Sequence, residues 1–295
     1  MLEFIKSLGR KPAPVTQPQG AAPPPAAPAE DLSTLTDTYL SGWFHQETDE
    51  LFEGFPISSE DSVLDIGCGD GPFVAFCAQR GAEVIFADID ADKVAGVERA
   101  LQGSNARAML PLVTDANPIP LPDARVDKVV AMEVLEHVED PAQFMSELVR
   151  VGKPGALYLI TVPDPLGESV QKELAPAAYF EHPNHIRVFE REAFEQLIRD
   201  AGLVIERQAH YGFYWSVWWF FFWACKQDLS PPWHPLLDSW TRTWNMLLAT
   251  EEGRASRRPW TRRCPRARRS LRASRCETGV VSHMKSRRGG AGGNG

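Results

Sequence analysis

From Ser62 to Ala209 the sequence alternates between two textures. Short β-branched or apolar runs (Ser62–Ile66, Glu83–Ala87, Ala106–Val113, Val126–Met132, Ala156–Val162, Leu203–Ala209) are separated by stretches with apolar residues at helical spacing (Pro72–Arg80, Asp92–Gln102, Pro141–Val149, Glu192–Ala201). Strands that run parallel cannot be joined by a tight turn, so the chain must cross the sheet, and a helix is the usual crossover. The alternation therefore predicts a doubly wound, mostly parallel α/β sheet. Gly81 and Gly202, each just after an amphipathic stretch, supply the left-handed residue that closes a helix. No internal repeat is evident.

Outside this block the texture changes, and the chain reads as four bands. Residues 1–30 include KPAPVTQPQGAAPPPAAPAE, which has almost nothing large and apolar to bury and is expected to be a disordered tether. Residues 31–210 hold the α/β domain. Its opening, Asp31 to Phe55, puts Leu35, Tyr39, Trp43 and Phe44 near one helical face with Asp31 or Ser33 as a cap, which predicts one or two helices. Residues 211–250 form an extension that starts with YGFYWSVWWFFFWAC. Its apolar part, Phe213 to Cys225, falls short of the ~20 residues that span a bilayer. A helix apolar on every side must still be covered, by the core, by the lipid interface or by a second subunit. Cover for an acceptor pocket, peripheral membrane contact through 211–225 and a homodimer contact all remain open.

Residues 251–295 carry 12 arginines and one lysine against three acids, a surplus of 10, while the rest of the chain stands at −18 within a net −8. Clustered arginine suits nucleic acid or anionic lipid. An excess of Arg, Gly, Ser and Pro is also what a shifted reading frame yields in GC-rich DNA, and a disruption near Glu252 to Arg254 is expected, with a basic, disordered tail after it. The acidic body is a poor match for a phosphate backbone, so no nucleic acid is expected on the main domain. Five cysteines with no C-x-x-C pair argue against a disulfide framework. With no hydrophobic signal core near Met1, a cytoplasmic location is expected.

The first strand runs into VLDIGCGDG, Val63 to Gly71. Glycines at 67, 69 and 71 mean a sharp backbone turn with close approach to a neighbour or a ligand. A dinucleotide loop, G-x-G-x-x-G, would need glycine at 72, where Pro72 stands. A P-loop would need a lysine, and none occurs between Lys11 and Lys93. Asp65 precedes the turn instead. A carboxylate there repels phosphate and attracts an amine or a sulfonium. Asp88 ends the second strand, where an acid accepts the hydroxyls of a ribose. Asp115 follows the third strand within reach of a purine amine, and Ile89 and Ala116 are placed to sandwich the ring. Three acids at three successive strand ends suit adenosine carrying a cationic amino-acid tail.

The segments VLDIGCGDG, ADID, TDANPIPLPD, VVAMEVLEHVEDP and GALYLITVPDP, in this order and spacing, resemble the class I S-adenosylmethionine-dependent methyltransferases over Ser62 to Ala209. The resemblance implies a Rossmann-like, seven-stranded sheet with S-adenosyl-L-methionine as cofactor. It places the glycine loop, with Asp65, Gly67, Cys68, Gly69 and Gly71, under the methionyl part, Asp88 on the ribose and Asp115 on the adenine. It turns Met132 and Glu133 toward the methyl donor. It also implies a closing antiparallel strand between the fifth and sixth. Nothing beyond Ala209 has the alternating pattern except a scrap at Val280-Val281, so that strand is expected to be missing.

The acceptor is expected to be small or lipid-linked, with O-methylation favoured over N- or C-methylation. The alternative is a membrane-surface binding protein that keeps the fold without catalysis. In FEHPNHIRVF, His182 and His185 fall where such folds line the acceptor pocket, and an imidazole there could take a proton from an attacking hydroxyl. Loop packing is the plainer role for both. His137 is expected to support the loop after the fourth strand. Glu181, His182 and His185 lack a further strong ligand, so no metal is expected on them. Cys68 reads as a small buried residue and not a nucleophile.

Overall fold

The computed structural model describes residues 41–226, 232–249 and 279–286. A small antiparallel sheet comes first, β1 (Trp43–His45), β2 (Glu50–Phe52) and β3 (Phe55–Pro56). The main block follows as β4 (Ser62–Ile66), α1 (Pro72–Gln79), β5 (Glu83–Asp88), α2 (Ala91–Ala100), β6 (Ala108–Val113), β7 (Val126–Met132), α3 (Pro141–Val151), β8 (Gly152–Pro163), α4 (Pro165–Gln171), a 3-10 turn (Ala177–Phe180), α5 (Arg191–Asp200) and β9 (Leu203–Tyr211). Two helices, α6 (Phe213–Ala224) and α7 (Pro235–Ala249), and one strand, β10 (Gly279–Ser286), complete it.

The large sheet has the order β6-β5-β4-β7-β8-β10-β9. Its first five strands pair in parallel, as the helical crossovers require. The chain winds outward from β4 to β6, then returns to the other side of β4 with β7. Strand order reverses between β4 and β7, and a crevice forms beyond the carboxyl ends of the strands at such a point.

Period-two alternation along the strands feeds two cores. Leu64, Ile66, Ile85, Val129 and Ala131 pack with Met145 and Leu148 of α3 and with Phe194 and Ile198 of α5. On the opposite face Val63, Val84, Phe86 and Val130 pack with Val74 and Phe76 of α1, Val94 and Val97 of α2, and Trp43 and Phe52 of the small sheet. Fully burying a side chain of this size stabilises by about 1.5–3 kcal/mol, so both faces are committed.

Two expectations are corrected. The segment expected to be helical forms β1 to β3 from Trp43 onward: Gly42 and Gly54 take positive φ, which stops a helix and lets the strands reverse. Residues 31–40 lie outside the described ones, as does the 1–30 tether. The closing strand is also present. Gly279–Ser286 lies antiparallel between β8 and β9, with Val280 opposite Val162 and His210, and Val281 opposite Thr161 and Ala209. The scrap at Val280-Val281 was this strand, and flanking polar residues hid it because both neighbours were unknown. The disrupted frame placed near Glu252 to Arg254 loses the missing strand as support, and those residues lie outside the described ones.

The aromatic helix α6 is covered in part. Phe222 and Trp223 are buried with Leu237 of α7, Trp223 Nε1 donates to Gln171 Oε1 of α4 at 3.1 Å, and Tyr214 shares a 2.7 Å hydroxyl contact with Thr241. Among the described residues no helix is long and apolar enough to cross a membrane.

Candidate functional site

The turn after β4 is pinned by backbone. The N–H groups of Gly67 and Cys68 both donate to the Ala87 carbonyl of β5, at 2.8 and 3.0 Å. Gly67, Gly69 and Gly71 have φ of +73°, +50° and +79°. A Cβ on Gly67 would lie 2.4 Å from Val134 Cγ2, and one on Gly71 2.7 Å from Val97 Cγ2. Those two glycines admit neighbouring side chains. A Cβ on Gly69 would meet nothing within 4 Å. Gly69 therefore presents bare backbone to open space, which is what a ligand cradle needs.

Two acids flank that turn and behave differently. Asp88 braces it: Oδ2 accepts from Gly69 N and Oδ1 from Asp90 N, both at 3.0 Å. Asp65 is buried and neither carboxylate oxygen has a hydrogen-bond partner. Burial, and secondarily the charge of Asp88, pushes its carboxyl up to about 7. Such a group invites a cation, because desolvation has removed water without supplying a replacement. Cys68, buried beside these acids, has its thiol pushed up to about 12 by burial and then by Asp65 and Asp88, so it is no nucleophile at neutral pH.

A cavity of about 690 Å³ opens at the strand ends, and Gly67, Asp88, Asp115, Glu133, His137 and His182 are among its walls. Ile89 and Ala116 line it too. Ile89 is 74% exposed, an uncovered apolar surface at the edge of a cleft, whereas Ala116 is buried. Ala116 has φ +63° and its N–H is held by Thr114 Oγ1 at 3.0 Å; Asp115 Oδ1 accepts from Asn117 N at 3.0 Å. The far end of this loop is clamped by Arg150 of α3, which donates to the carbonyls of Ile119 and Leu121 and to Asp123. Of the residues expected from sequence, Gly67, Asp88, Ile89, Asp115, Ala116, Glu133 and His182 reach the cavity wall. Asp65, Cys68, Gly69, Gly71, Met132 and His185 are not on it. Met132 packs against the core instead.

Beyond β7 side chains do most of the holding, of other side chains and of backbone. Glu133, at φ +51°, has its N–H bonded to Thr161 Oγ1 at 3.1 Å, and the Thr161 hydroxyl donates to Glu133 Oε1 at 2.6 Å. His137 Nδ1 lies 3.2 and 2.9 Å from the carbonyls of Pro183 and Asn184, so its ring ties the loop after β7 to the 182–185 segment. His185 Nδ1 is 2.9 Å from Glu168 Oε2, and its ring meets His137 edge-on at 5.0 Å. Tyr179 sits between His185 and Trp223, at ring separations of 4.6 and 4.9 Å, so the aromatic helix backs this histidine.

Glu136 is 1% exposed and neither of its oxygens has a hydrogen-bond partner. Burial, then the charge of Glu133, holds its carboxyl well above the ordinary range. Burial, then His185, lowers the pKa of His137. His182 is exposed. The structure does not gather Glu181, His182 and His185; it gathers Glu136, His137 and His185, with one donor atom from each within 4.8 Å of the others. Sequence reasoning passed over Glu136, Thr161, Glu168 and Tyr179. Only Glu136 left a signal, its place beside His137; the others come from segments that pattern alone does not join.

Residues 39–208 match the family described as a methyltransferase domain. A protein of Mycolicibacterium smegmatis named a probable S-adenosylmethionine-dependent methyltransferase is 34% identical over 148 residues, 49% of this chain and 52% of the relative. A ubiquinone biosynthesis O-methyltransferase of Hahella chejuensis is 34% identical over 106 residues, 34% of this chain and 42% of the relative. The chain spans about half the length of the curated relatives it matches. The crystal structure of the cyclase SpnF superposes with a TM-score of 0.51 at 16% identity, covering 88% of this chain and 94% of that one, which shows a shared fold. A cyclase on the same architecture is a reminder that activity resides in the site.

Proposed function

Since the chain belongs to the methyltransferase-domain family, we propose that it transfers a methyl group from S-adenosyl-L-methionine to a small or lipid-like acceptor. The observation that carries the reading is Asp65, a buried carboxyl with no partner, next to Asp88 and to a glycine turn whose middle residue faces open space. A pyrophosphate has no use for that charge; a nucleoside with a cationic tail does. When bound, S-adenosylmethionine supplies a methyl group activated on a sulfonium. Asp65 would offset the positive charge of the amino-acid end. Asp88 would accept the ribose hydroxyls, Asp115 the adenine amine, and Ile89 with Ala116 would cover the ring faces. Of Met132 and Glu133, Glu133 lines the cavity and would face the reacting end.

The acceptor side is the wall made by Glu133, Val134, Val138, Phe144 and His182, with the aromatic helix behind His185. The apolar share of that wall supports an acceptor with an apolar body. The Hahella relative's name supports oxygen as the acceptor atom. Because sulfonium is a good leaving group, positioning and water exclusion are the main demands, and alignment can lower the barrier by ~7–11 kcal/mol. With Nδ1 of His185 engaged by Glu168, its Nε2, which meets the Tyr179 hydroxyl only at 3.4 Å, is the nitrogen that could take a proton or act as a ligand. Calorimetry with S-adenosylhomocysteine and with NAD tests the cofactor assignment: binding of the first alone is expected, and binding of NAD alone overturns it. Mass spectrometry of extracts incubated with protein and cofactor then seeks a product heavier by one CH2.

A further inference from the structure

Glu136 and His137 sit in the loop after β7 and His185 in the segment before α5, yet their donor atoms converge to within 4.8 Å. We propose that these three side chains bind a first-row divalent cation of the zinc or manganese type at the acceptor end of the crevice. Three independent features point to it. A carboxylate that is 1% exposed, with neither oxygen hydrogen-bonded and Oε1 no nearer than 3.8 Å to His137 Nε2, is rare in a folded protein and calls for a missing partner. Both imidazoles are already oriented from behind: His137 Nδ1 by the Pro183 and Asn184 carbonyls, His185 Nδ1 by Glu168. An Nδ1–H donated to a carbonyl or carboxylate fixes the tautomer that leaves Nε2 as a lone-pair donor, which is how metal-binding histidines are usually held. His185 Nε2 otherwise meets the Tyr179 hydroxyl only at 3.4 Å, a weak contact.

The third feature is openness. Three protein ligands leave a coordination position free, and His137 lines the large cavity, so that position faces the space where an acceptor enters. The donor set, two imidazole nitrogens and one carboxylate, suits zinc, manganese or cobalt better than calcium, which prefers an all-oxygen shell. Glu168 acts through His185 and is a positioning residue. The set judged from sequence to hold no metal, Glu181, His182 and His185, is one that the fold does not assemble.

A cation here would bind an acceptor hydroxyl and lower its pKa, with His185 as ligand and not as base. That role rests on the methyl-transfer reading; cation binding itself does not. The test is calorimetry of untagged, chelator-stripped full-length protein with Zn2+ and with Mn2+, together with the visible absorption of added Co2+, which needs no variant. One ion per chain is expected, with a Co2+ spectrum of low-coordinate intensity. Glu136→Gln and His185→Ala should weaken binding more than tenfold, Glu168→Gln by about 10–100-fold, and His182→Ala not at all. Lack of saturable binding at millimolar cation, or full binding by the Glu136→Gln/His137→Ala/His185→Ala triple variant, overturns the site. S-adenosylhomocysteine binding measured on the same samples separates the two ideas: nucleoside binding without cation binding removes the cation site alone, and the reverse removes the methyl-transfer reading alone.

Discussion

The two ends of the crevice are built by different means. At the β4–β5–β6 end, functional groups are held by backbone: Gly67 and Cys68 on the Ala87 carbonyl, Asp88 on two N–H groups, Asp115 in its own turn. At the β7–β8 end side chains do most of the holding, Thr161 on Glu133, Glu168 on His185 and Tyr179 between His185 and Trp223, with His137 on the Pro183 and Asn184 carbonyls. A backbone-built end tolerates drift in the rest of the chain and suits an invariant cofactor. An end built from side chains can be respecified by a few substitutions and suits a variable acceptor.

Substitutions at the two ends should therefore separate binding from turnover. The largest effect is expected for Asp88→Ala, which removes a hydroxyl acceptor and the brace on Gly69. The Kd for S-adenosylhomocysteine should rise about 100-fold, the equivalent of ~2.8 kcal/mol; calorimetry checks it, and unchanged affinity would break the comparison at its firmer end.

Asp65→Asn comes next and carries a pH signature. Its folded pKa, about 7, lies above the ordinary 3.8, so the stability this group contributes is complete below 3.8 and is lost as pH rises through 7. Above that, the empty protein carries an ionised, unpaired carboxylate. The substitution should raise the Tm of the ligand-free protein at pH 8, by about half as much at pH 5.5, and hardly at all near pH 4. Cofactor affinity of the unmodified chain should climb from pH 5.5 to 8 as Asp65 ionises, and the Asn variant should lose about tenfold at pH 8 and most of that slope.

At the other end, Glu168→Gln should slow methyl transfer by about 10–100-fold while leaving S-adenosylhomocysteine affinity unchanged; a KM-against-kcat split reads this directly. Trp223→Phe should do least. It loses one hydrogen bond to Gln171, about 1 kcal/mol of stability, seen as a small fall in Tm. A collapse of turnover in that variant would mean that the aromatic helix takes part in the acceptor site instead of only backing it.

The same division explains what could be read in advance. The parallel strands and their helices were legible because each is a local pattern with its own period, and Val126–Met132 was located to the residue. That Asp88, Asp115, Ile89 and Ala116 would share one cavity wall was legible because they follow strand ends, and a doubly wound sheet sends every strand end to one rim. Glu168 and Tyr179 were not, since their meaning depends on where α4 and the 3-10 turn dock, which no local period encodes. Trp43 was misread for a related reason: an aromatic residue near other aromatics fits a helical face or a small sheet equally well until Gly42 and Gly54 are given weight. The last strand failed by distance, because a strand with a partner on each side needs little pattern of its own.

That strand also sets a timetable. β8 and β9 do not touch along their length; each meets β10, which is encoded far downstream, beyond the whole stretch from Tyr211 to Gly279. On the ribosome the crevice-forming strands can assemble early, while two bare edges face each other across an unfilled slot until β10 has been made. Exposed edges of that kind recruit other chains. Nascent and truncated products should thus be the aggregation-prone forms of this protein, and chaperone demand should peak just before Gly279–Ser286 leaves the exit tunnel.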